Sequence, residues 1–134
     1  HQINTMTQHI AHTTVLVKEY DEAISYFTQK LNFKLIQDIN ISELKRWVII
    51  CPPGSIGGSL LLSKATNDKQ LTLVGNQAGG KVFLFLYTDD FWRDYKVMSE
   101  NQIKFLELPR VEPHGTVVVF EDLYGNKWDF IQPK

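Results

Sequence analysis

The sequence predicts an α+β fold made of two repeated β-α-β-β-β modules. Three observations carry that reading. An apolar strand, an amphipathic helix and three further strand-like runs fill residues 10–64, and the same order returns in residues 81–134, displaced by about 70 positions. Local sequences echo each other at corresponding places. Leu31-Asn32-Phe33-Lys34-Leu35 matches Asn101-Gln102-Ile103-Lys104-Phe105, and Arg46-Trp47-Val48-Ile49-Ile50 matches Gly115-Thr116-Val117-Val118-Val119. Between the copies, residues 65–80 are polar and end in Gly79-Gly80, the composition of a linker. Two copies of one curved, mixed sheet are thus expected to face each other around a cleft.

Each element has a local cause. Residues 1–9 precede the first strand and read as tag or disordered sequence, with His1 to Thr5 resembling vector-derived residues ahead of Met6. Ile10 to Val17 is rich in Thr and Val and predicts a strand. Tyr20, Ala23, Ile24, Phe27 and Leu31 follow helical spacing, and Asp21 and Glu22 place negative charge in the first turn, where the helix dipole favours it. Asn32 predicts a left-handed stop. Phe33 to Ile41, Arg46 to Cys51 and Ser59 to Ser63 are strands, the last two parted by a turn from Pro52-Pro53-Gly54 and Gly57-Gly58.

The second module opens with Lys81 to Thr88, apolar on both faces and therefore expected to be covered on both. Asp89 or Asp90 caps a helix carrying Phe91, Tyr95 and Met98. Ile103 to Leu108, Gly115 to Glu121 and Lys127 to Gln132 follow as strands, with Asp122-Leu123-Tyr124-Gly125-Asn126 turning between the last two.

Composition narrows the class of function. The net charge of −1 and the lack of a basic stripe give no footprint for nucleic acid. No apolar run reaches the ~18–20 residues of a membrane span, and a secretory leader is not apparent. Cys51 is the only cysteine, so no intrachain disulfide forms and a reducing, cytoplasmic setting is expected.

Three local signatures resemble the vicinal oxygen chelate superfamily, which holds glyoxalase I, bleomycin-resistance proteins, fosfomycin-resistance enzymes and extradiol dioxygenases. The first is Ile10-Ala11-His12-Thr13-Thr14-Val15-Leu16-Val17, with Glu19 seven positions after the histidine and a helix following. The second is the helix exit Lys30-Leu31-Asn32-Phe33, and the third is Phe120 to Asp129, similar to the family's Asp-Pro-x-Gly-Asn-x-x-Glu. The resemblance implies metal-ligand positions on the first and last strand of each module. Carried over residue by residue, they fall on His12, Leu60, Val82 and Asp129, of which two are aliphatic. Catalytic metal sites keep three or more protein ligands. No cofactor is therefore expected, and a divalent metal on His12 and Asp129, completed by substrate oxygens, is the alternative.

Alternation along the strands places His12, Thr14 and Leu16 on one side and Val15 and Val17 under the helix. The same reasoning turns Val82, Leu84 and Leu86 inward, and Asp129 with Ile131. The expected cleft is lined by His12, Thr14, Leu60, Leu62, Val82, Leu84, Asp129 and Ile131, an aliphatic surface with one His–Asp option. Such a surface suits a small organic ligand.

Other polar and aromatic residues have plainer readings. Three residues on a strand separate His9 from His12 onto opposite faces, so they are no metal pair. His114 reads as a loop residue and Glu107 as solvent-facing. Trp47 and Trp128 read as core, Trp92 as exposed surface or a subunit contact, and Arg46 as half of a surface salt bridge. Cys51 reads as an inert buried thiol.

The leading function is a small-molecule-binding protein that holds a compact hydrophobic or aromatic compound without an intact metal site. The alternative is a metal-dependent lyase, transferase or dioxygenase using His12 and Asp129; a structural dimer with a filled cleft is third. The resemblance also implies a homodimer, with clefts built partly across the interface.

Overall fold

In a computed structural model, which describes residues 5–134, each module folds its own mixed sheet. The vector-like residues 1–4 lie outside the described residues. The first sheet has β1 (His12–Val17), β2 (Lys34–Asn40), β3 (Arg46–Cys51) and β4 (Ser59–Lys64) in the order β1-β4-β3-β2. The second has β5 (Val82–Tyr87), β6 (Lys104–Phe105), β7 (Arg110–Glu112), β8 (Gly115–Glu121) and β9 (Lys127–Pro133). Its order is β5-β9-β8-β6, with β7 also pairing β8. In both sheets the first and last strands of the module pair in parallel and the other pairs are antiparallel.

The helices sit where the spacing places them. The α-helix α1 (Tyr20–Ser25) widens into a π-helical stretch over Tyr26–Lys30, and its apolar stripe buries Tyr20, Ala23 and Phe27. Asn32 ends it in the left-handed region with φ 58°, and Gln102 repeats this in the second module with φ 62°. The residues that follow them, Phe33 and Ile103, are both buried. The linker carries a short helix, α2 (Asp68–Leu73), which the sequence reading leaves unassigned. Asn67 caps it by accepting the Gln70 N–H at 2.8 Å. In α3 (Phe91–Glu100) the cap is Asp90, whose Oδ1 accepts the Arg93 N–H at 3.2 Å.

The two modules share one core. Val15, Val17, Leu60 and Leu62 from the first sheet join Val118, Phe120, Trp128 and Phe130 from the second, with helix residues between them. The Phe27 ring lies 5.5 Å from Phe33 and 6.0 Å from Trp128, so the first helix touches the second module's sheet directly. Truncating one such buried aromatic costs roughly 3–5 kcal/mol.

The turn between β8 and β9 is locked from within. The buried Asp122 accepts the backbone N–H groups of Tyr124, Gly125 and Asn126 on Oδ1, and those of the Asn126 amide and Trp128 indole on Oδ2, at 3.0–3.1 Å. The linker then ties this turn to the first module. Gln77 receives the Leu16 N–H at 2.7 Å and donates to the Thr14 carbonyl at 3.0 Å, closing the outer edge of β1. Its own N–H donates to Asn126 Oδ1 at 3.3 Å. No helix among the described residues is long and apolar enough to cross a membrane.

Candidate functional site

Both sheets give one face to the shared core, and the opposite face of each carries exposed residues, His12 and Thr14 on the first and Phe85 and Tyr87 on the second, around buried centres at Ile49 and at Val117 and Ile131. In the first sheet, the register pairs His12 with Ser59, Thr14 with Leu61 and Leu16 with Ser63, while Ile49 pairs with Leu61. Paired residues share a face, so these residues form the open side together with Trp47. The His12 and Trp47 rings meet edge to face at 5.9 Å, and the Trp47 indole N–H donates to Gln37 Oε1 at 2.9 Å. Trp47 therefore belongs to the open face, not to the core.

The open side of the second sheet is arranged in cross-strand rows. One row runs Val82, Lys127, Glu121, Lys104; the next runs Phe85, Asp129, Val119; the third runs Tyr87, Ile131, Val117, Arg110. Phe85 and Tyr87 are 62% and 67% exposed, although aromatic. Ile131 and Val117 are buried between them and the charged far side. There, Arg110 donates through Nε to both oxygens of Glu107 at 3.1 Å and through Nη1 to Glu112 at 3.0 Å. Glu107 in turn accepts the Val119 N–H at 3.0 Å, so it is a fixed structural carboxylate and not simply a solvent-facing one.

The expected lining is thus rearranged in part. His12, Thr14, Val82, Asp129 and Ile131 lie on open faces. Leu60 and Leu62 lie on the opposite side of β4, in the core, and Leu61 takes the open position. Leu84 and Leu86 also turn to the core side, because a register shift between Val82 and Leu84 inserts one residue and reverses the alternation. Phe85 and Tyr87 occupy the open positions instead. His12 and Asp129 stand on different sheets, and among the described residues no hydrogen bond or ion pair joins them.

The Asp129 carboxylate has neither a hydrogen bond nor an ion pair among the described residues. Partial burial pushes its carboxyl above the usual range; Arg110 draws it back, Glu107 raises it and His114 lowers it. Beside the free edge of β5 opens a groove of about 960 Å³, between the loop at Pro52–Gly58 and α3, with Phe33, Phe85, Tyr87 and Met98 in its wall. That volume lies at the upper end of the ~300–1,000 Å³ typical of ligand sites. Neither His12 nor Asp129 lines it, whereas Phe85 and Tyr87 belong to both the groove and the open face.

Beside His12 in the parallel pair stands Ser59, and beside Asp129 stands Phe85. No group of three His, Cys, Asp or Glu side chains suited to a metal ion occurs among the described residues.

Two modules that each open β-α-β, with mixed sheets of four and five strands whose first and last strands pair in parallel, define a recognisable class. Residues 9–130 match the Glyoxalase/Bleomycin resistance protein/Dioxygenase superfamily, and the chain belongs to it. An uncharacterized protein from Shewanella frigidimarina (strain NCIMB 400) is 55% identical over 128 residues, covering 95% of each chain. Among solved structures, UcmS2 superposes with a TM-score of 0.81 at 25% identity, over 94% of this chain and 98% of the other. TnmS3, an antibiotic binding protein from Streptomyces sp. CB03234, gives 0.77 at 24% identity over 98% and 100%.

Proposed function

We propose that this protein is a homodimer that binds a compact hydrophobic or aromatic molecule in a cleft between the open sheet faces of two chains. The observation that carries the reading is the exposure of Phe85 and Tyr87 on a sheet face whose centre, Ile131 and Val117, is already buried. Exposed apolar faces of this kind mark binding surfaces. The first sheet offers a matching platform in Trp47, held by Gln37 and His12. The antibiotic-binding neighbour shows the same fold in a protein that holds a small molecule. Its likeness carries the fold, and the side chains carry the reading for this chain. In this reading the protein sequesters or senses its ligand and needs no metal.

The second reading is a metal-dependent lyase, transferase or dioxygenase. It draws on one observation: His12 and Asp129 both lie on open faces, which a second copy paired as proposed would bring into a common cleft. Thermal-shift measurements with flat aromatic compounds, paired with metal analysis of protein purified without chelator, separate the two. Stabilisation of about 2.7 kcal/mol at a ligand concentration ~100 times Kd, with no stoichiometric metal, supports binding alone. One tightly held metal per site, lost in His12→Ala, supports the enzyme reading instead.

A further inference from the structure

The charge arrangement around Asp129 specifies the ligand more narrowly, on the basis of the binding reading above. Asp129 is a half-buried carboxylate with no bonded partner among the described residues. Its register partner on β5 is Phe85, and Tyr87 stands in the next row. Of the cations on this face, Arg110 is already committed to two carboxylates, Glu107 and Glu112. That group of three carries a net charge of −1, and Asp129 adds a second negative charge when ionised. Lys127 reaches instead for the Gly80 carbonyl at 3.2 Å, and Lys104 pairs with Glu121 at 3.0 Å.

An anionic ligand would meet an excess of negative charge here. A cation would meet an unpaired carboxylate flanked by two exposed aromatic faces, and both attract positive charge. The aromatic pair is independent of the carboxylates and itself calls for a ligand, since two large rings stand exposed beside a groove of ligand size. We infer that Asp129, Phe85 and Tyr87 form a subsite for a protonated amine carried on a flat aromatic ligand. Asp129 accepts the ammonium or amidinium N–H, and the rings take the charge and the flat body.

Three probes built on one ring system test this. They are 9-aminoacridine as the cation, acridone as the neutral analogue and acridine-9-carboxylate as the anion, each titrated into the protein by calorimetry at neutral pH. The wild-type protein is expected to bind 9-aminoacridine at least tenfold more tightly than acridone, and the carboxylate most weakly. Asp129→Asn should abolish the tenfold preference while leaving acridone within twofold, and Asp129→Glu should restore part of it. Equal binding of 9-aminoacridine and acridone by wild-type protein overturns the amine subsite and leaves the binding reading intact. So does an equal loss of both probes in a folded Asp129→Asn variant. If none of the three probes binds, the aromatic-binding reading falls and the subsite with it. The wild-type comparison needs no variant to fold.

Discussion

Two aspartates separated by seven positions show how environment divides one residue type between structure and site. Asp122 is buried and accepts five N–H groups, which fix the final turn and orient the Trp128 indole against the core. Asp122→Asn turns one acceptor oxygen into a donor that faces the Asn126 amide and the Trp128 N–H. Leaving such buried donors unpaired is expected to cost about 2–4 kcal/mol, read as a lower urea midpoint at unchanged slope. Asp129 behaves in the opposite way. Burial raises its folded pKa above the unfolded value of about 3.9, so ionisation works against folding. Its favourable contribution is complete below the unfolded pKa and is lost as pH rises through the raised folded value. Glu107, Arg110 and His114 also act on this carboxyl, so the informative quantity is a difference between two proteins. The stability of Asp129→Asn relative to wild type should grow as pH rises from about 3.9 and level off above the folded pKa. A gap that shrinks with rising pH would show that Asp129 has a cationic partner in solution.

At the scale of elements, periodic and capping signals were legible in the sequence, and strand parity was legible only in part: β1 and β9 present the faces expected of them, while β4 and β5 present the reverse. β3 and β8 fall on Arg46–Cys51 and Gly115–Glu121 as their composition indicates, and Asn32 stops its helix in the expected conformation. The helix-exit echo aligns Asn32 with Gln102 and Phe33 with Ile103, and both pairs match in conformation or burial. The strand echoes slip by one residue. Aligning Val48 with Val117 pairs a core residue with an open-face one, and aligning Leu60 with Asp129 does the same. A slip of one residue reverses every side chain; Val82 to Tyr87 is apolar on both faces and holds no signal to correct it, whereas in Ser59 to Ser63 the two serines share a face with Leu61 and mark Leu60 and Leu62 as the apolar side that is found in the core. The bulge at Phe83 is likewise silent in sequence. Long-range ties were also hidden. Gly75 has φ 77°, and a Cβ there would lie 1.8 Å from the Tyr124 carbonyl oxygen. Gly75→Ala must displace the linker from the β8–β9 turn and release Gln77 from the edge of β1. The expected loss is roughly 2–4 kcal/mol by chemical denaturation, with early hydrogen exchange at the Leu16 amide. Retained protection at Leu16 would show that Gln77 holds the edge without the glycine contact.

The whole molecule is turned inside out relative to a single-chain cleft. Its helices and one face of each sheet fill the common core, which leaves His12, Thr14 and Trp47 on one outer surface and Phe85, Tyr87 and Asp129 on another. Two surfaces on separate sheets of one chain cannot close on each other, but a two-fold axis can place the first sheet of one chain against the second sheet of its partner, twice. Such pairing joins the Trp47 platform to the Phe85–Tyr87 pair and brings each His12 toward the partner's Asp129. The protein is therefore expected to sediment at twice its 15.5 kDa mass at micromolar concentration. Tyr87→Glu, which adds charge to the exposed apolar rim without touching the core, should shift the equilibrium toward monomer by tenfold or more, equivalent to about 1.4 kcal/mol. It should also abolish binding of flat aromatic compounds, because half of each cleft then lacks its cover. A wild-type protein that stays monomeric and still binds those compounds would place the site in the groove beside β5, where Phe85 and Tyr87 meet Phe33 and Met98 within one chain. In that outcome Met98→Ala should weaken the ligand while leaving the sheet faces unchanged, and Trp47→Ala should have no effect on binding.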